Sequence, residues 1–297
     1  MEVKTRKKIS LFNILNITGF ILFSILVIYP FWQTIVLSFS DAESASSLGV
    51  NLWPDQWITD AYKFMFSNDN IGVAYLNTIA RTVFGTILIV TFTVLAAYPL
   101  SKKDLPYRNV FTIFFLIAMF FSGGMIPDYL LIKNLGLIDN SLSLILPSAV
   151  NVFFIIIMRN YFMTIDKGLE ESALIDGANY FTILTKIIIP VSKPVIATVA
   201  LWAAVYHWNE WFHALVYIQD DAKTVLQIVV RDMLTAMDLS NNQNAQVGGG
   251  GGMASSELLL SNVRAATVMI SIGPIVLIYP FVQKYFIKGI MIGSLKG

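Results

Sequence analysis

Residues 162–194 read FMTIDKGLEESALIDGANYFTILTKIIIPVSKP. The stretch lies between long apolar runs. It is too polar to cross a bilayer and too patterned to be a plain linker. Glu170 and Glu171 open a short helical run, LEESALI, and acidic side chains suit a helix N-terminus, where the backbone dipole is positive. Gly177 ends or turns that run. A second run, YFTILTKIII, is expected to stop before Pro190, because a residue preceding proline is biased away from the helical region. The pattern predicts two short helices joined at Asp176–Gly177. Their apolar residues, Ala173, Ile175 and Phe181 among them, need a partner to cover them.

The flanks set the class. The chain has 297 residues, 56% hydrophobic and 13% charged, with a mean hydropathy of +0.68. A soluble domain carries about 25% charged residues, so an ordinary soluble enzyme is excluded. The apolar content is too high for disorder. A net charge of +1 argues against a nucleic-acid partner. No cysteine is present, which removes disulfides, thiolate metal sites and a cysteine nucleophile. Six runs satisfy the requirement of about 20 apolar residues for a spanning helix. They cover residues 11–39, 73–100, 110–132, 142–161, 195–218 and 265–286. All are continuous, whereas a membrane barrel would show alternating segments of about 10 residues. The first run follows Lys4, Arg6, Lys7 and Lys8 like a signal peptide. Its length of about 29 residues and the lack of a small-x-small cleavage pattern mark it as an uncleaved span.

Basic residues orient the bundle. With the N-terminus inside, 14 Lys and Arg fall on the inner side and five on the outer, with Arg81 inside a span. Such an excess marks the cytoplasmic face, so both termini and segment 162–194 are expected there. Trp53 and Trp57 in the first outer loop suit interfacial anchors. The last outer loop, 219–264, contains Gly248 to Gly252, a run that does not favour regular structure. It reads either as a disordered insertion or as a mobile contact to an external partner.

Arg81 and Glu210 stand out as charges inside the spans, where charge is costly and faces a bundle interior or wet cavity. Arg81 either snorkels outward or contacts a pore helix or sugar. Glu210, with Asn209 and His213, is either interhelical glue or part of the path. Trp202, Trp208 and Trp211 fall within ten residues of one span. They suit sugar rings, and equally suit core packing or an interfacial belt. His207 and His213 are six apart and do not share a helix face, so no metal site is expected.

ESALIDGANYFTILTKIIIP resembles the "EAA" signature of binding-protein-dependent ABC importer permeases: Glu-Ala-Ala, three residues, Gly, nine residues, then Ile-x-Leu-Pro. Here it reads Glu171-Ser172-Ala173, Gly177, then Ile187 to Pro190, with Ser172 and Ile189 as departures. FSGGMIPDYLLIKNLGLIDN, SLILP, WNEW and YPFVQKYFIKGIMIGSLKG extend the likeness to the carbohydrate-uptake branch, in which maltose-system G subunits and LplC/YtcP-type permeases fall. The resemblance implies an all-α, six-span, MetI-like type I importer permease in a bacterial cell membrane. It implies a second homologous permease, as a heterodimer, together with two ABC ATPase subunits, an extracytoplasmic solute-binding protein and an oligosaccharide cargo. It also implies that Glu170, Glu171, Ala173, Asp176, Gly177, Phe181 and Pro190 form the ATPase-coupling element, with Glu171 paired to a basic residue of the ATPase. The tail residues Ser294, Lys296 and Gly297 would approach the ATPase. Arg81, Trp208, Asn209, Glu210 and Trp211 are the candidates for the translocation path.

The chain has no G-x-x-x-x-G-K-[ST] phosphate loop. ATP and Mg are therefore expected on the partner ATPase, with no cofactor and no catalytic residue in this chain. An importer for a non-sugar solute fits the signature loop alone. An ion-coupled transporter would show several buried carboxylates and inverted repeats, and is the weaker alternative.

Overall fold

The computed structural model describes residues 11–41, 52–67, 69–246, 262–280 and 283. Every regular element among them is helical. The basic N-terminal residues, the Gly248–Gly252 run and the tail from Ser294 to Gly297 lie outside the described residues. Two compact units are present: Met1–Asn68 with Met233–Ile272, and Asp69–Asp232 with Gly273–Gly297.

In the first unit, α1 (Leu11–Ser38) is apolar on every side, and its most apolar stretch buries nothing within the chain. A helix hydrophobic all round requires an apolar surround. Its end packs near α2 (Asp60–Phe66), where Tyr62 Oη donates to Ser38 Oγ at 2.9 Å. Asn262 Nδ2 donates to the Ser40 carbonyl at 2.9 Å, tying in the start of the last described helix, Asn262–Pro280. The side chains of Met65 and Thr267 complete this packing, both fully buried.

The second unit is organised around α3 (Asp69–Ser101), which carries the second expected span. It is followed by α4 (Arg108–Phe120), α5 (Met125–Asn134), two 3-10 turns over 141–148, and α6 (Val152–Phe162). Then come α7 (Lys167–Ile175), α8 (Tyr180–Val191), α9 (Lys193–Asn209), α10 (Phe212–Tyr217) and α11 (Leu226–Gln246), of which the residues up to Asp232 fall in this unit. The core joins α3 to α6, α8 and α9 through Ile89, Val94, Ile155, Met158, Ile188 and Val199.

Three of the expected continuous runs are broken. The third bends by 108° between α4 and α5, at Phe121–Gly124, where paired glycines offer no side chains to hold a helix. The fourth bends by 45° where the 3-10 turns meet α6. The fifth stops at Asn209, because Glu210 is extended (φ −77°, ψ 115°). Counting each bent pair as one span, the described chain has up to six segments long and apolar enough to cross a membrane.

Gly85 of α3 faces the fully buried His207 ring of α9, and a Cβ there would overlap the ring. Neither His207 nitrogen has a hydrogen-bond partner in proper geometry among the described residues. Gly85→Ala is expected to force the two helices apart and cost about 1–3 kcal/mol, as overpacking does. Thermal unfolding in detergent checks this: His207→Ala in the same chain should recover part of the loss.

Candidate functional site

The segment 162–194 folds as a two-helix elbow. Asp166 caps α7 by accepting from the Gly168 N–H at 2.9 Å. At the other end, the Ala178 N–H donates to the Ala173 carbonyl and the Gly177 N–H to the Leu174 carbonyl. That is a Schellman closure, and it needs the left-handed backbone that Gly177 supplies at φ +82°. Asn179 then caps α8 by accepting from Thr182 N–H at 2.8 Å. Gly177 and its neighbours therefore set the elbow angle through local bonds alone.

The second helix does not stop before Pro190. Ile189 stays helical (φ −59°, ψ −48°) and the chain runs on to Val191. A π turn over Leu184–Ile188 precedes the proline. Its wider spacing moves the carbonyls that a proline ring would strike, and the missing proline N–H falls at the start of a new turn. The sharp change comes at Ser192, where α8 meets α9 at 83°.

The elbow presents two faces. Ala173, Ala178 and Ile183 pack into the core. Ile175 is 87% exposed and Phe181 68%. Glu171 and Asp176 are also exposed, and Glu171 makes no ion pair among the described residues. Glu170 is partly covered and pairs with Lys102 just beyond the end of α3. An open cleft of about 670 Å³ separates that end of α3 from the elbow, bounded by Tyr98, Lys102, Lys167, Glu170, Leu174 and Phe181.

Farther along α3, Arg81 and Glu210 meet. Arg81 Nη2 donates to Glu210 Oε2 at 2.5 Å and Nη1 to the Glu210 carbonyl at 2.7 Å. The Arg81 side chain is 3% exposed and that of Glu210 10%, so Arg81 does not snorkel. The other carboxylate oxygen accepts the His213 N–H at 2.8 Å and lies 3.0 Å from His213 Nδ1. One carboxylate thus caps α10, holds the break after α9, and fastens both to α3. Trp208 is buried edge-on to Tyr75 at 5.8 Å. Asn209 is exposed and donates back to the Val205 carbonyl. Trp211 is partly exposed, with the Arg231 guanidinium 4.9 Å from its ring centre. Trp202 stacks on Phe154 at 6.0 Å. The structure therefore brings Arg81 and Glu210 together and separates the tryptophans into different packings. Asp128, inside the range expected for the third span, is a further charge that the hydropathy reading passed over.

A third polar joint lies beyond the spans. Asp139, at φ +57°, accepts from Lys223 Nζ at 3.0 Å and from the Asp220 and Gln219 N–H groups at 3.0 and 3.1 Å. Asn77 Nδ2 donates to the carbonyls of Ala222 and Thr224, both at 2.9 Å. The Lys223 side chain, with the two backbone donors, holds the Asp139 carboxyl below its ordinary pKa of 3.8. A lowered pKa makes the joint fully present at neutral pH and lost only as pH falls through the lowered value. Amide exchange at Gln219 and Asp220 should therefore keep its protection at neutral pH and lose it only as pH falls below the ordinary carboxylate range. Asp139→Asn should lose it at every pH.

The chain as a whole is similar to known proteins. The family model described as "Binding-protein-dependent transport system inner membrane component" matches residues 89–292. The chain belongs to that family. The permease YtcP of Bacillus subtilis (strain 168), of a polygalacturonan/rhamnogalacturonan transport system, is 38% identical over 97% of this chain and 99% of its own. Protein LplC of the same organism is 40% identical over 92% and 90%. A chain of a bacterial ABC transporter involved in import of the acidic polysaccharide alginate superposes with a TM-score of 0.81 at 33% identity, covering 96% of this chain and all of that one. The fold is the MetI-like permease fold of an ABC importer, and the chain is an inner-membrane permease component. The match of residues 89–292 takes in the elbow, the Glu210 break and the C-terminal part of α3 from residue 89, but begins beyond Arg81.

Proposed function

We propose that this permease is the translocation subunit of an ATP-driven importer for oligosaccharides, moved by a separate ATPase that docks on the elbow. The observation that carries the reading is the two-faced elbow. Its backbone is closed by caps at both ends of α7 and at the start of α8, one face is sunk in the core, and Glu171, Ile175 and Phe181 are left outward. Exposed apolar groups beside a carboxylate suit a protein partner. Two ATPase subunits bind ATP and Mg; this chain has no phosphate loop of its own. A second homologous permease completes a heterodimeric pore, and an extracytoplasmic solute-binding protein delivers cargo. The excess of basic residues supports a cytoplasmic elbow and cytoplasmic termini.

The physical cycle is a population shift. ATP closes the ATPases, the docked elbow moves with them, and the bundle exchanges inward- and outward-open states. Ligands need bias those states by only a few kcal/mol. The oligosaccharide cargo is supported by the relatives, and acidic ones come first for testing, because YtcP and the alginate importer both name such polymers. The test is uptake into proteoliposomes holding this chain with its partner permease, ATPase and binding protein. ATP-dependent uptake of oligogalacturonides supports the reading. Uptake of an amino acid or peptide, with no oligosaccharide transported, would refute the cargo.

A further inference from the structure

Adjacent glutamates in the elbow do different jobs. Glu171 is exposed, whereas Glu170 reaches back to Lys102. Both members of that pair are mostly covered, at 26% and 17% exposure. Lys102 Nζ also lies 4.3 Å from the centre of the Tyr98 ring, a cation–π contact. The pair joins two helix ends of opposite polarity. Lys102 follows the C-terminus of α3, where a cation is favoured, and Glu170 stands in the first turn of α7, where an anion is favoured. Nearby, the Leu100 carbonyl of α3 accepts from Arg108 Nε at 2.9 Å and Arg159 Nε at 3.1 Å. The end of α3 is therefore fastened to α4 and α6 by guanidinium groups, and to the elbow by the Lys102–Glu170 pair across the open cleft. The other stretch of α3 holds Glu210 through Arg81.

We propose that Lys102 and Glu170 form a latch that delivers displacement of α7 to α3, so that Lys102 is a positioning residue for coupling. This rests on the reading that the elbow docks the ATPase. Without the latch the elbow still docks and keeps its core packing through Ala173 and Ile183, but less of the movement of α7 reaches the helix that grips Glu210.

The test uses the whole importer in proteoliposomes, with Lys102→Glu, Glu170→Lys and the double reversal. ATPase co-purification, ATP hydrolysis and solute uptake are measured together. Lys102→Glu should keep the ATPase bound and hydrolysing while uptake per ATP falls about tenfold, in the range of an ordinary coupling free energy, and Glu170→Lys should lower uptake per ATP in the same way. The double reversal should restore most of it. Unchanged uptake per ATP in the single reversals, or a double no better than either, overturns the latch. Where a reversal fails to insert, Lys102→Met is compared with Lys102→Arg: loss with Met and retention with Arg support the latch, and equal coupling overturns it. Failure of the unaltered importer to capture its ATPase would instead remove the docking reading, and the latch with it.

Discussion

Replacing Arg81 with alanine will leave the Glu210 carboxylate buried without its cation, at a cost of about 3–5 kcal/mol. The guanidinium meets both the carboxylate and the carbonyl of Glu210, at 2.5 and 2.7 Å. Loss of either contact frees the break after α9. Arg81→Lys should rescue little, because one ammonium cannot reproduce the fork that serves both oxygens. Arg81→Met with Glu210→Gln should recover much of the stability, since no unpaired charge remains. Thermal unfolding of the purified chain in detergent reads this directly. A change below about 1 kcal/mol for Arg81→Ala, the level of an exposed pair, would mean that water reaches the site.

Glu171→Arg is expected to abolish capture of the ATPase while leaving insertion intact. Glu171 is exposed and makes no ion pair within the described chain, so its reversal removes nothing from the fold. A charge-assisted contact is worth about 1.5–3 kcal/mol, and reversal adds repulsion to its loss, so association should weaken by roughly 10- to 100-fold or more. Co-purification of ATPase with the tagged permease measures it. Unchanged capture would show that the carboxylate faces no cation in the assembly.

The spans and the elbow were legible for a common reason: both are written in local sequence. A long apolar run needs no distant partner to be recognised, and the caps of the elbow use residues within a few positions of one another. The breaks were not read. Gly123–Gly124 and the polar WNEW stretch do interrupt the apolar runs, but a window of about 20 residues averages over them, so neither was taken to bend the chain. Glu210 bends it because Arg81, 129 positions away, holds its carboxylate. Pro190 misled for the opposite reason: the local rule was sound, but the π turn before it relieved the clash. Lys102 counted in the sequence only as one more inner-side positive charge, and its link to Glu170 is a product of tertiary structure.

The chain contains no cysteine, so Ile175→Cys would give it a single thiol at a highly exposed point of the elbow. Thiol crosslinking in intact membranes, beside labelling of whole cells with an impermeant maleimide, tests the docking directly. A crosslink to the ATPase, with the thiol shielded from the outside reagent, is the expected result. Labelling from outside with no crosslink would place the elbow on the wrong face and contradict the mechanism.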